Sequence, residues 1–598
     1  MSRNEASEKQ VEAARPDAST WLAANAGSGK TRVLTDRVAR LLLDEVLPEH
    51  ILCLTYTKAA ATEMQNRLFK RLGAWSMLDD DQLIAELRQL GLDGALPPER
   101  LRQARTLFAR AIETPGGLRI QTIHSFCASL LRRFPLEAGV SPQFTEMEDR
   151  SAEMLRAEVL ERMAEGRDAW LVEAMAPFLG EQPEALLAEL CGRKAAFLPP
   201  RSPEDIRALY GLPGDMDEAA VLAEVFLGSE SDLITRVIPV LQAGKSTDQG
   251  AAKKLARFTG PDMAGMLALE DALLTQKGTI SSRVPTKDSK QALGPDAPRL
   301  EQLAQRVESA RESRLAVEAV KREITLHRFA QVFLPAYEAE KMRRGWLDFD
   351  DLVVRARDLL ADDRVADWVL YRLDGGIDHI LVDEAQDTSP VQWQVIERLA
   401  REFTSGEGAR GDVRRTIFVV GDKKQSIYSF QGADPREFDR MCDDFAERLQ
   451  ATDAPLSRMM LEYSFRSAGP VLQLVDATFE GREESGFSPE QRHKAFKSEM
   501  PGRVDLWPHI EPAKEEEEDA EWYEPVDRIG AQHHTVRLAN RIAGFIAETI
   551  GKPLPVEIGF SGQYKARPAH AGDFLILVRR RGTLFTEIIR AIKAYRNP

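Results

Sequence analysis

The sequence predicts an α/β protein: a parallel sheet carrying a phosphate-binding loop, split by a large helical insertion. Three observations predict it. The stretch "AANAGSGKTR" (23–32) joins the apolar run Trp21-Leu22-Ala23 to a helical pattern at Val33, Leu34, Val38 and Leu41-Leu42. Short apolar runs recur at "ILCLTYT" from Ile51, "LRIQTIH" from Leu118, "HILVDEAQD" from His379 and "RTIFVVGD" from Arg415. Each ends in polar or small residues, the edge at which open parallel sheets place their ligands. Between 146 and 344 such runs become rare, and Ala, Leu, Glu and Arg dominate, as in "LEQLAQRVESARESRLAVEAVKREI" from Leu300.

Bulk properties set limits. A chain of 598 residues is too long for one core and implies several domains. No apolar run is long enough to span a membrane, and the polar N-terminus "MSRNEASEKQ" lacks a signal-peptide core. Cys53, Cys127, Cys191 and Cys442 lie far apart without a CxxC pair, which suits a reducing cytosol and argues against a zinc or iron–sulfur centre. The formal charge of −15 excludes a protein basic all over, but not a local basic channel for nucleic acid.

The phosphate loop comes first. Backbone N–H groups of Gly27, Ser28, Gly29 and Lys30 would surround a polyphosphate at a helix N-terminus, with Ala24, Asn25 and Ala26 leading in. Ala24 stands where the strict pattern has Gly. Lys30 would reach the β- and γ-phosphates, and the Thr31 hydroxyl would hold Mg²⁺. After Tyr56, Met64, Leu68 and Leu72 make a core-facing helical stripe. "GLPGD" (Gly211–Asp215) and "SSRVPTKDSK" (Ser281–Lys290) read as loops of the insertion. "GWLDFDDLV" (Gly345–Val353) reads as a helix start, with Asp348 near the N-cap and Phe349 in the core. In "LVDEAQD" a buried strand delivers Asp383, a Mg²⁺ ligand acting through water, and Glu384, the base for an attacking water. The acidic run from Lys514 reads as a solvated loop, "GDFLILVRRRG" from Gly572 as one more buried strand, and His533-His534 as structural or solvated.

Further stretches complete a pattern: "LTYTKAAATEMQNRL" (Leu54–Leu68), "QTIHSFC" (Gln121–Cys127), "VVGDKKQSIYSFQGADP" (Val419–Pro435) and "LEYSFRSAGPVL" (Leu461–Leu472). With "GSGKT" and "DEAQD", in this order, they resemble superfamily 1 DNA helicases of the UvrD/Rep type. Within that group the loop and "TIHSFCASLLRRFPLEAGVSPQF" are most similar to AddA, the helicase–nuclease subunit of bacterial double-strand-break repair. The resemblance implies a RecA-like first motor domain at 1–145 and 345–452, a helical insertion at 146–344, and part of a second RecA-like domain at 453–598. It implies ATP with Mg²⁺, 3′-to-5′ movement on DNA, an AddB-like partner and a bacterial cytoplasmic location. Gln10 would read the adenine edge, Gln425 would sense the γ-phosphate, and Arg466 would approach that phosphate as an arginine finger.

Binding single strands without sequence preference needs aromatic faces and backbone contacts. Tyr56 and Thr57 at one strand end, His124 and Phe126 at a second, and Tyr428 with Phe430 at a third offer them. Phe430 sits where the family places a stacking aromatic, Tyr428 has packing below the nucleotide as its other reading, and Gln431 replaces an Arg of many relatives. The family's "TIHGAKGLE"-like and late Arg-bearing motifs, and a nuclease signature, are not found. The chain is therefore expected to be the N-terminal half of a larger polypeptide, hydrolysing ATP slowly and not unwinding duplexes. Two rivals stay open: a stand-alone UvrD/Rep-type helicase, and a non-catalytic DNA-binding protein with a degenerate ATPase fold.

Overall fold

The computed structural model describes residues 4–114, 117–179, 183–362, 364–373, 376–403, 413–429, 432–450, 455–482, 486–487, 492–512, 533–558 and 563–596. Phe430, Gln431 and the acidic run from 514 fall outside them. The first eight strands in chain order are β1 (Thr20–Ala24), β2 (Ile51–Thr55), β3 (Arg119–Thr122), β4 (Thr145–Glu146), β5 (Trp346–Leu347), β6 (His379–Val382), β7 (Thr416–Gly421) and β8 (Ser457–Leu461). Six of these form one sheet in the order β3-β2-β6-β7-β1-β8, with every neighbouring pair parallel. Parallel sheets are covered on both faces, and every residue of β2, β6 and β7 is buried. That burial is why these runs are continuously apolar rather than alternating.

β1 and β2 follow one another in the chain, yet β6 and β7, which arrive after the insertion, lie between them. The order thus reverses beside β1, and its carboxyl end opens onto the crevice where such sheets bind ligands. One face packs on the helices Lys30–Leu43, Lys58–Met77 and Pro98–Glu113, and the stripe Met64, Leu68, Leu72 is fully buried there. On the other face Trp21 stacks on Trp393 (centroids 5.7 Å, planes 19° apart) and meets Phe438 and Phe445 at 5.1 and 6.3 Å.

Three features differ from the sequence expectation. β8 lies beyond the expected boundary at 452 yet runs parallel to β1, with Ala24 opposite Leu461. As a half-exposed edge strand it carries little apolar signal. From Gly572 no strand forms: Ala571–Asp573 is a single 3₁₀ turn, and Leu575 and Leu577 are 83% and 84% exposed. A buried strand needs a ladder on each side, and no described strand lies alongside it. Phe349 is 48% exposed, while Leu347, Leu352 and Val353 take the core positions; Asp348 does cap, accepting from the Asp351 N–H at 2.8 Å.

The chain divides into two compact units, Met1–Ala138 with Leu352–Pro598, and Gly139–Asp351. The second is helical, built along the helix Asp296–Arg344, which stops where Gly345 adopts φ 65°. Leu300, Leu303 and Val307 anchor one cluster on that helix, and Phe329, Phe333 and Tyr337 another. β4 and β5 pair at its base. Lys341, 1% exposed, is neutralised by Asp348 and Asp351, each at 2.6 Å, consistent with a structural role for this motif. In the first unit, helices His534–Thr549 and Thr583–Arg596 pack through Ala539, Ala543, Ile588 and Ala591.

Candidate active site

β1 ends at Ala24, and the chain turns over Asn25–Gly29 into the helix Lys30–Leu43. The turn requires glycine twice: Gly27 has φ 74° and Gly29, the N-cap, has φ 88°, values that L side chains adopt at a cost. Gly27 is also closely approached, since a Cβ there would lie 2.7 Å from that of Arg466. Gln10, on the helix Glu5–Ala13, is buried and donates its amide to the Ser28 carbonyl at 2.8 Å. Two polar atoms here, Gln10 Oε1 and Ser28 Oγ, are buried without a hydrogen-bond partner among the described residues. Buried polar atoms are ordinarily paired. This cradle of left-handed glycines and unpaired polar atoms at a helix N-terminus fits a polyphosphate.

The second half of the site comes from β6. Asp383 extends the strand pairing through its N–H to the Leu54 carbonyl (2.9 Å), and Glu384 follows in a left-handed conformation, φ 48°, ψ 45°. A non-glycine residue held there is uncommon and is a mark of functional sites. The twist turns the Glu384 carboxylate to Lys30, Oε2 lying 2.8 Å from Nζ although 354 positions separate them. Burial, then the Glu384 charge, pushes the Asp383 carboxyl up to about 6; the same causes push Asp387 up to about 6. Among the described residues no group of three or more His, Cys, Asp or Glu side chains could hold a metal ion by itself; Mg²⁺ keeps several waters and needs only one or two carboxylates beside the phosphates. Thr31 is half-buried at the first turn of its helix.

β7 lies between the two halves. Its exit loop places Gln425 with its amide on Asp422 (2.5 Å). The neighbouring Lys424 donates to the Asn25 side chain and faces the Phe487 ring at 5.4 Å, with its pKa lowered by burial. Gln386, 1% exposed, donates to Glu384 Oε2 at 2.8 Å and accepts from the Asp422 N–H at 2.8 Å. Beyond β8, the Phe465 N–H donates to the Gly27 carbonyl at 2.8 Å. Arg466 is thereby held beside the phosphate loop, exposed and without an ion pair among the described residues. Gln10, Ser28, Tyr463 and Phe465 line a small cleft at the loop's side. Gln386, Lys424 and Phe465 were missed as site residues, although each stands inside a motif that the sequence displays.

Of the aromatic residues expected to face DNA, Tyr56 and Tyr428 meet, with centroids 4.4 Å apart. Burial, with Asp387 and Tyr428 adding, pushes the Tyr56 hydroxyl up to about 12. Thr57 is exposed and caps the helix after β2, its Oγ1 accepting from the Ala60 N–H at 3.1 Å. His124 is half-buried at the start of the helix after β3. Phe126 is a correction: 4% exposed, it joins Ile123, Cys127 and Leu130 on the buried face of that helix and cannot serve as a platform. Phe430 lies outside the described residues.

A sequence profile of the UvrD/REP helicase N-terminal domain matches residues 4–446. The chain is similar to proteins named as the A-type subunits of ATP-dependent helicase/nucleases. That of Desulfitobacterium hafniense (strain DSM 10664 / DCB-2) is 28% identical over 77% of this chain and 34% of its own length. That of Enterococcus faecalis is 27% identical over 77% and 37%, and that of Exiguobacterium sibiricum 26% over 96% and 47%. The chain thus spans between a third and a half of the length of these relatives. Among the described residues no helix is long and apolar enough to cross a membrane.

Proposed function

Because the chain belongs to the UvrD/REP helicase N-terminal domain family, we propose that it binds and hydrolyses ATP to drive movement along single-stranded DNA. A single contact carries this proposal: Lys30 Nζ and Glu384 Oε2, 2.8 Å apart, on the edge of one sheet. Lys30 binds the β- and γ-phosphates, and Glu384 takes the proton of the attacking water. As the water oxygen bonds to the γ-phosphorus, the bond to the bridging oxygen breaks and ADP leaves. Thr31 and Asp383 would hold a Mg²⁺, which would supply charge neutralisation to the nucleotide. Gln10 reads the adenine, Gln425 senses the γ-phosphate, and Arg466 stabilises the transferring group.

Residues 1–145 and 345–461 form the first motor domain, 146–344 its insertion, and the remainder the start of a second domain. Tyr56, Thr57, His124 and Tyr428 contact the strand. The likeness to the helicase/nuclease relatives supports a more specific role: a 3′-to-5′ superfamily 1 motor that processes double-strand breaks in the bacterial cytoplasm with an AddB-like partner. The test is ATP hydrolysis with and without single-stranded DNA, for the parent, Lys30→Ala and Glu384→Gln. DNA should stimulate the parent, Glu384→Gln should fall by about 10²–10⁴, the range of a lost general base, and Lys30→Ala should lose stimulated hydrolysis with its hold on the phosphates. Equal rates in all samples would leave a DNA-binding protein without catalysis.

A further inference from the structure

We propose that Gln386 is a positioning residue that ties the Glu384 carboxylate to the loop leaving β7, a role that rests on ATP hydrolysis at this site. Its buried side-chain amide is used at both ends. Nε2 donates to Glu384 Oε2 at 2.8 Å and to Asp387 Oδ2 at 3.3 Å, while Oε1 accepts from the Asp422 N–H at 2.8 Å. Its own carbonyl accepts from Ser426 Oγ at 3.2 Å. A side-chain amide is neutral and both donates and accepts, so it can join a carboxylate to a backbone N–H. Asp422 in turn accepts from Gln425 Nε2 at 2.5 Å and from the Lys424 N–H at 3.2 Å. The close approach explains a small residue next door: a Cβ on Gly421 would lie 2.9 Å from Gln386 Oε1 and 2.7 Å from the Phe438 ring.

Two donors therefore converge on one oxygen, Lys30 Nζ and Gln386 Nε2, each 2.8 Å from Glu384 Oε2. Oε1 has no hydrogen-bond partner among the described residues and is the oxygen left to receive a proton. Once phosphates engage the Lys30 ammonium, Gln386 is the remaining donor that orients the carboxylate. Its other end sits on the loop that runs on to Tyr428, whose ring meets Tyr56. A shift of that loop then moves the proton-accepting oxygen.

The experiment compares the full chain with Gln386→Met, which removes both ends of the tie, and Gln386→Glu, which keeps the acceptor for Asp422 and loses the donor to Glu384. Assays run over about pH 7–10, because burial and the Glu384 and Asp387 charges push an introduced carboxyl up, and the Gln386→Glu rates are compared with parent at the alkaline end, where it is ionised. Without nucleotide, amide hydrogen exchange at Asp422 should accelerate at least about tenfold in Gln386→Met and stay near parent in Gln386→Glu. With ATP and saturating single-stranded DNA, both variants should lose about tenfold or more in kcat, with KM for ATP within about threefold. Gln386→Glu turning over at the parent rate would reduce the amide to a structural prop. Unchanged exchange at Asp422 in Gln386→Met would overturn the tie itself. A parent chain without DNA-stimulated hydrolysis would instead overturn the ATPase proposal, and the exchange result would still judge the tie.

Discussion

Replacing Gly27 with alanine adds one methyl group where the phosphate loop meets Arg466. The backbone there has φ 74°, a conformation that costs an L-residue about 1–2 kcal/mol. The new Cβ would lie 2.7 Å from Arg466 Cβ, 2.9 Å from Ser464 Oγ and 3.3 Å from the Arg466 nitrogen. Carbon pairs rest at about 3.5 Å or more, so Arg466 must retreat by about 0.8 Å. The Phe465 N–H bond to the Gly27 carbonyl, 2.8 Å long, is strained by the same movement. A misplacement of about 1 Å in a reacting site costs on the order of a hundredfold in rate. Gly27→Ala should therefore fold, unfold about 1–3 kcal/mol more easily in urea, and lose about a hundredfold in DNA-stimulated kcat. Steady-state hydrolysis would be measured beside Arg466→Ala and the double variant. Because the damage passes through Arg466, the two losses should be far from additive. A Gly27→Ala kcat within about threefold of parent, or full additivity, would refute the coupling of loop and arginine.

Arg37 is fully buried, and its guanidinium donates to the carbonyls of Arg15 and Ala18 and to Thr416 Oγ1 (2.6 Å to Ala18, 3.0 Å to Thr416), tying the approach to β1 onto β7. Burial lowers its pKa to about 9, so it stays charged at neutral pH; Arg37→Met strands those acceptors and should cost about 2–4 kcal/mol in urea unfolding. His379, bonded to Thr416 Oγ1 at 2.8 Å, has its pKa lowered by burial, with Arg37 adding, to about 3. It is neutral in the fold, whereas the unfolded chain takes up the proton below the ordinary value of about 6.5. Stability should thus fall as pH drops from 7 towards 3. Between pH 7 and 5 the contribution is about 2 kcal/mol, read as a smaller pH dependence of urea midpoints in His379→Gln. Trp393→Ala opens the stack on Trp21 and should cost about 3–5 kcal/mol. Tyr56→Ala should weaken single-stranded DNA binding by about 1–3 kcal/mol in a fluorescence titration, the worth of one stacked base.

What the sequence determined by itself is local. The turn at Gly27–Gly29, the helix start at Lys30, the buried runs of β2, β6 and β7 and the stripe of Met64, Leu68 and Leu72 are written in neighbouring residues, because backbone sterics and periodicity act over a few positions. Other properties depend on what lies alongside, which no local pattern encodes. The run from Gly572 has a strand's composition yet finds no described ladder, β8 is a strand of weak composition that β1 completes, and Phe126 reads as a platform until the rest of its helix packs around it. Tertiary structure alone decided that β7 comes between β6 and β1. That order brings Lys30 to Glu384 and sets Gln386 across to Asp422, since hydrogen bonds and burial reward proximity in space regardless of separation along the chain.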